Sequence, residues 1–354
     1  MGASSNGKSL NSMLPILSIC ALIIKLQVKI SKNLQAYMRK TEQRNDALLL
    51  ILILIMSIVF FGNLLTFIGQ YMGEAIYGSE LDWENIDWAS EPQVRYFRFL
   101  QFFTNAGVFL FPAIVSFVIV QKKSNLFTGK IFSFKLGKRP KLQYLIWGLL
   151  LVVLILPMVF QLYDWNKLMS LPESLQWLEL SLLEEESIRN EGLLAMLNLN
   201  GTVDWYINII LLCVLAAVGE ELFFRGVCQD AITYWTNKPY LSIIITAVLF
   251  SVMHFQFYGF LPRFIMGMFL GMMMYWSRSI WLVIFVHFSF NFIQLSFYFY
   301  WQSFLNELMA NLEGNLAVIA EIIVTFIFII LFWQFKNRLY LNNGSGEKEV
   351  EEHI

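Results

Sequence analysis

The chain has 354 residues, of which 57% are hydrophobic and only 14% charged, with 33 phenylalanines. That composition excludes an ordinary soluble domain and points to an all-α, polytopic membrane protein. The formal net charge of -1 suggests no nucleic-acid partner, and it conceals charges of opposite sign that are sorted along the chain. Three cysteines, Cys20, Cys213 and Cys228, form no CxxC pair and imply no disulfide framework, so they read as free thiols in or beside the membrane.

Residues 1–46 read as a basic cytoplasmic segment. The apolar stretch Met13 to Ile24 is too short to span a bilayer and runs into Lys25, Lys29 and Lys32. Lipidation signals are weak here: Ile19 fills the small-residue position before Cys20, and Asn6 stands where myristoylation favours Ser or Thr. Met38, just before Arg39 and Lys40, is an alternative native start. N-terminal mass mapping tests it, and a native peptide from residues 26–37 refutes it.

From Ala47 onward, spanning-length apolar runs fall at 47–67, 102–120, 144–163, 206–234, 241–258, 261–276, 280–300 and 316–335. At about 20 residues per span, they predict about eight transmembrane helices. Residues 47–204 carry the first three helices and their outer loops, and 205–300 form a core of helices four to seven. Helix eight lies in 301–340, and 341–354 is a polar cytoplasmic tail.

Charge alternates between successive loops. Six bases from Lys25 to Arg44 precede the first span, and six acids with no base occupy 73–91. Seven bases with no acid follow at 122–141, then eight acids against Lys167 and Arg189 at 164–204. The positive-inside rule places both termini in the cytoplasm and the acidic loops outside. Leucines at helical spacing among the acids of 164–202 predict amphipathic helices on the outer surface, more a solvated cap than a lid.

The sequence Gly219-Glu-Glu-Leu-Phe-Phe-Arg-Gly226 sets three charges in an apolar run. Even on a lenient scale each costs about 2.5 to 3.5 kcal/mol at the bilayer centre. Glu221 and Arg225 are four apart, share a helix face and read as a structural ion pair, which leaves Glu220 free for chemistry. Set against this is an ordinary charged helix end at the membrane surface. Two of the three histidines, His254 and His287, lie in apolar runs, and Asn291 follows His287 on the same face. Each histidine alone reads as a packed interhelical residue, but depth argues for convergence. Glu220 and His254 are equally far from the turn near Asn237, which puts them level in an antiparallel hairpin. Because the nearest turns, Asn237 and Arg278, are cytoplasmic by charge, the cavity is expected to open inward.

The ordered set Glu220-Glu221-x-x-x-Arg225, Phe250-x-x-x-His254 and His287-x-x-x-Asn291 resembles the signature of the CPBP (Abi) family of intramembrane proteases. That family includes the CAAX prenyl endopeptidases and bacteriocin-immunity relatives. The resemblance covers about residues 205–300. It implies an intramembrane endopeptidase, CAAX-processing-like, in which Glu220 is the general base that activates water, with His254 beside it. By the same resemblance His287 and Asn291 form the oxyanion-stabilising or water-positioning side, and Glu221 and Arg225 support the site. The partners it implies are membrane lipid and a membrane-anchored peptide or protein substrate.

Two histidines and a glutamate also suit zinc, with His254 and His287 as candidate ligands. Glu220 would then have to serve as both ligand and base, and no HExxH helix is present. The reading is therefore metal-free hydrolysis, with a metalloprotease as the alternative. A non-proteolytic membrane immunity or partner protein that keeps the site, and a transporter using buried Glu and His as a proton relay, are the other readings.

Overall fold

A computed structural model describes residues 7–78, 86–122, 139–199, 201–301 and 315–342. Most of the basic 122–141 loop, part of the first acidic loop and most of the C-terminal tail lie outside the described residues. Among the described residues there are helices and no strands. The helices are α1 (Gly7–Tyr77), α2 (Glu91–Asn105), α3 (Phe111–Lys122), α4 (Leu142–Lys167), α5 (Gln176–Leu197) and α6 (Thr202–Asn208). They continue with α7 (Ala216–Glu221), α8 (Gln229–Thr236), α9 (Pro239–Val252), α10 (Phe260–Ser277), α11 (Ile280–Ser296) and α12 (Asn315–Asn342). Wider π-helical turns at Ala106–Leu110, Ile209–Leu215 and Leu222–Cys228 join α2 to α3 and α6 through α7 to α8.

Among the described residues, six helices are long and apolar enough to cross a membrane: Arg44–Tyr77, Glu91–Ile119, Leu142–Lys167, Thr202–Thr236, Ile280–Phe299 and Ile319–Leu339. The chain is a polytopic membrane protein. The two further runs expected to span form helices α9 and α10, which pack as an antiparallel pair but are not among these six. At 14 residues, α9 is about 21 Å long, short of the roughly 30 Å hydrocarbon core. It ends at Val252 where the apolar run predicted continuation to Tyr258, so His254 stands on a turn and not within a span. Phe255 closes that turn with φ +51°, a left-handed conformation that a bulky residue adopts only under constraint.

The apolar side chains sort as a bilayer requires. On α1, Leu52, Ile55, Met56, Val59, Phe60 and Phe67 are exposed, as are Ile322, Phe326, Ile329 and Trp333 on α12. Two of the buried hydrophobic clusters flank the centre of the bundle. One joins α4, α10, α11 and α12 through Leu151, Ile155, Phe269, Met273, Val283 and Phe335. The other joins α1 to the 222–232 stretch and α9 through Leu50, Leu54, Phe223, Phe224, Val227 and Phe250. The seam between them carries Glu220 and Glu221, near the middle of the 35-residue helical stretch Thr202–Thr236. Helix α10 closes tightly on α9: a Cβ added at Gly267 would lie 3.0 Å from the Ala247 Cα. Glycine there permits the close approach of the two helices.

The acidic segment is folded against the protein. Helix α5 is 22 residues long and buries Glu186, Gly192, Met196 and Leu197, so its packed surface includes an acid among apolar residues. A buried network anchors the next segment: Asp204 accepts from Arg95 (2.8 and 2.9 Å) and from Arg98 (2.6 Å) on α2. Asn208 donates to the Met196 carbonyl.

Candidate active site

The residues singled out in the sequence converge from four elements. Glu220 and Glu221 end α7, Arg225 lies in the following π-helical turn, His254 stands on the α9–α10 turn, and His287 is on α11. Glu220 Oε2 is 3.9 Å from His254 Nε2 and 3.9 Å from His287 Nε2. It is buried and has no hydrogen-bond partner among the described residues. Such a separation is too long for a direct hydrogen bond and short enough for one water molecule to bridge.

Each imidazole is oriented from its other nitrogen. His254 Nδ1 is 2.7 Å from the Phe250 carbonyl and His287 Nδ1 is 2.7 Å from Glu221 Oε1. A carbonyl and a carboxylate can only accept, so both Nδ1 atoms donate and both Nε2 atoms face Glu220. Phe250 forms a wall, its ring centroid 5.0 Å from that of His254, with the Arg225 guanidinium 4.7 Å over its face.

Glu221 and Arg225 form the expected pair, Nη1 to Oε1 at 2.7 Å, with both side chains 0% exposed. Arg225 also donates to the Gly267 carbonyl at 3.1 Å. The pair is not self-contained, because the same Glu221 oxygen accepts from His287. Sequence spacing showed the first contact and missed the second, which joins residues 66 apart. Asn291 does not reach Glu220 by a hydrogen bond. Its Nδ2 donates to the Leu212 carbonyl at 3.0 Å, in the π-helical turn that leads into α7. Such turns leave carbonyls without their regular partners and recur beside functional sites.

The backbone groups of the α9–α10 turn find partners within the protein. Asn166 donates to the Phe257 carbonyl, Tyr258 N–H donates to Glu186 Oε2 at 2.8 Å, and Ser251 donates to the Phe260 carbonyl. Gln256 reaches Asn190 on α5. The acidic 164–204 segment therefore covers the turn that carries His254. Sequence reading also passed over Glu186 and Arg263. Arg263 is the sole charge in α10, which was the signal available.

Zinc suits these donor types but not their spacing. Donors about 2.0 to 2.1 Å from a tetrahedral zinc lie about 3.3 Å from each other, against 3.9 Å for each Glu220–imidazole separation. Among the described residues no group of three His, Cys, Asp or Glu side chains is set to hold a metal ion.

A buried carboxylate facing two oriented imidazoles, inside a bundle of membrane helices, defines a membrane protein equipped for acid–base chemistry. Residues 202–293 match the family model described as type II CAAX prenyl endopeptidase Rce1-like. The match spans all the converging residues and supports the CPBP/CAAX protease family. At family level it supports CAAX-type intramembrane protease activity. No curated protein and no solved structure matches the chain.

Proposed function

We propose that the chain is an intramembrane endopeptidase that hydrolyses a peptide bond of a membrane-anchored substrate, with Glu220 as the base. The observation that carries this reading is the unpartnered, buried Glu220 Oε2, equidistant from two imidazole Nε2 atoms. A water held there donates one proton to Glu220 as its oxygen attacks the substrate carbonyl carbon. The C–O bond forms and the carbonyl electron pair moves onto oxygen. His287, oriented through its Nδ1–H by Glu221, presents Nε2 on the side where that oxyanion develops. Collapse breaks the C–N bond as Glu220 returns the proton to the leaving amine, giving an acid and an amine. His254 holds the water from the other side.

Asn291 acts by position, because its amide is committed to the Leu212 carbonyl and fixes the approach to α7. Burial of the reacting groups supports the reading further, since fixed dipoles act more strongly where water is excluded.

The test is comparative membrane peptidomics of the wild type against Glu220→Gln, with folded protein measured in parallel. Loss of a defined set of cleavage products at unchanged folded protein is expected. An unchanged peptide profile refutes hydrolysis and favours a non-proteolytic membrane partner.

A further inference from the structure

Away from the reaction site, a cavity of about 60 Å³ lies where α4 and α11 begin, lined by Arg139, Lys141, Tyr144, Ser277, Ser279 and Leu282 among others. The two helices run side by side in the same direction. Tyr144 and Leu282 share the cavity, and one turn further on a Cβ added at Gly148 would lie 2.6 Å from Val286 Cγ2. Lys141 and Ser279 immediately precede α4 and α11, so the cavity is faced by two helix N-termini, whose N–H groups and dipoles favour an anion. Helix α10 ends there at Ser277, but its carbonyl end is closed by the Arg278 N–H, which donates to the Met274 carbonyl at 3.0 Å.

The side chains point to the same ligand. Arg139 and Lys141 bring positive charge, and among the described residues no acid lines the cavity. Tyr144 is 8% exposed, and its buried hydroxyl has no hydrogen-bond partner among the described residues. Helical side chains lean towards the N-terminus, which directs this hydroxyl towards the start of α4 and the cavity. A buried hydroxyl left unpaired is costly, and an anion accepting its proton removes that cost. Ser277 is buried too; its Oγ accepts from the Ser279 N–H at 3.2 Å and has a proton of its own to give.

We infer that this cavity binds a phosphate group, with Tyr144 and Ser277 as hydroxyl donors and Arg139 and Lys141 as its charge partners. Donors converge from two helix ends, two hydroxyls and two bases, more than the two oxygens of a carboxylate accommodate. The volume is about that of two water molecules in the liquid, which suits a phosphate and not a sugar-sized headgroup. Nearby, Arg338 lies 5.0 Å over the Trp147 ring and Lys336 5.6 Å over Trp276, the tryptophan and basic residues of a membrane–water interface. The phosphate comes either from an anionic lipid of that leaflet or from a soluble phosphate. Binding here is independent of the chemistry at Glu220.

The full chain in neutral detergent micelles is titrated separately with phosphatidic acid, inorganic phosphate and oleate, with binding read by native mass spectrometry and by the thermal midpoint. The wild type is expected to retain phosphatidic acid and to melt higher with it. Tyr144→Phe should weaken that binding by about tenfold or more, the range of a hydrogen bond to a charged group. Its unliganded midpoint should not fall, because the change deletes only an unpartnered atom. Arg139→Gln and Lys141→Gln should each weaken binding about fivefold, the worth of one base at an anionic surface. Lys238→Gln, which removes an exposed base that does not line the cavity, should leave it unchanged. Inorganic phosphate bound as tightly as the lipid, with the same losses in the variants, assigns the site to a soluble phosphate. Oleate bound as tightly as phosphatidic acid, no binding of either phosphate probe, wild-type binding by Tyr144→Phe, or a loss in Lys238→Gln equal to that in Lys141→Gln overturns the site.

Discussion

Removing Glu221 isolates the central interaction of the site. In Glu221→Ala, Arg225 loses its 2.7 Å partner and His287 loses the acceptor of its Nδ1–H. Arg225 keeps only the Gly267 carbonyl at 3.1 Å. Both members of the pair are 0% exposed, so the stranded guanidinium gains no water. Breaking such a buried pair costs about 3 to 5 kcal/mol, a large share of a total stability of about 5 to 15 kcal/mol. Replacing both residues in Glu221→Ala/Arg225→Met removes the uncompensated charge, and the double variant should regain most of the loss. A coupling of at least about 1.5 kcal/mol is expected.

Thermal midpoint and monodisperse yield in detergent, measured for wild type, both singles and the double, give the cycle. The double variant is also expected to stay poor in hydrolysis, because His287 still lacks the group that orients it. Strictly additive losses would refute the ion pair, and activity that returns with stability would refute the orientation of His287 by Glu221.

Asp204→Asn should destabilise by about 3 to 5 kcal/mol, because it strands Arg98, whose side chain is 6% exposed, and loosens α2 from α6; a melting midpoint within error of wild type contradicts this. Gly267→Val should cost about 1 to 3 kcal/mol by forcing apart α9 and α10, visible as a lower midpoint, whereas the same change at lipid-facing Ile322 should be nearly silent. For topology, Ser187→Cys on exposed α5 should label with an impermeant reagent in intact cells and Lys141→Cys should not, the native Cys213 and Cys228 being buried. The reverse pattern inverts the charge-based orientation. Asn291→Leu removes the donor to Leu212 and should lower kcat with little change in KM; an unchanged kcat removes Asn291 from the positioning of α7.

Much of this arrangement is legible in the sequence because the bilayer makes local composition informative. An apolar run of spanning length has to be a helix when no water is available to its backbone. A charge inside such a run costs enough to mark a site, and this singled out Glu220, Glu221 and Arg225. Helical periodicity alone brings Arg225 onto Glu221, and counting from the Asn237 turn sets His254 level with Glu220. Contacts across helices are of another kind. Nothing local says that Glu221 also takes the His287 proton, that Asn291 spends its amide on Leu212, or that Glu186 caps Tyr258. Those depend on helix tilt, on π-helical turns that shift side-chain direction, and on α9 ending at Val252 while its sequence is still apolar. The cover over the α9–α10 turn was likewise decided in three dimensions, when the acidic segment folded back over it. Sequence determined which residues had to be buried and on which helices, because burial is set by the free energy of transfer, residue by residue. Tertiary structure alone decided which buried polar groups share a proton, because a hydrogen bond requires two atoms to meet within about 3 Å, and no one-dimensional pattern fixes that distance.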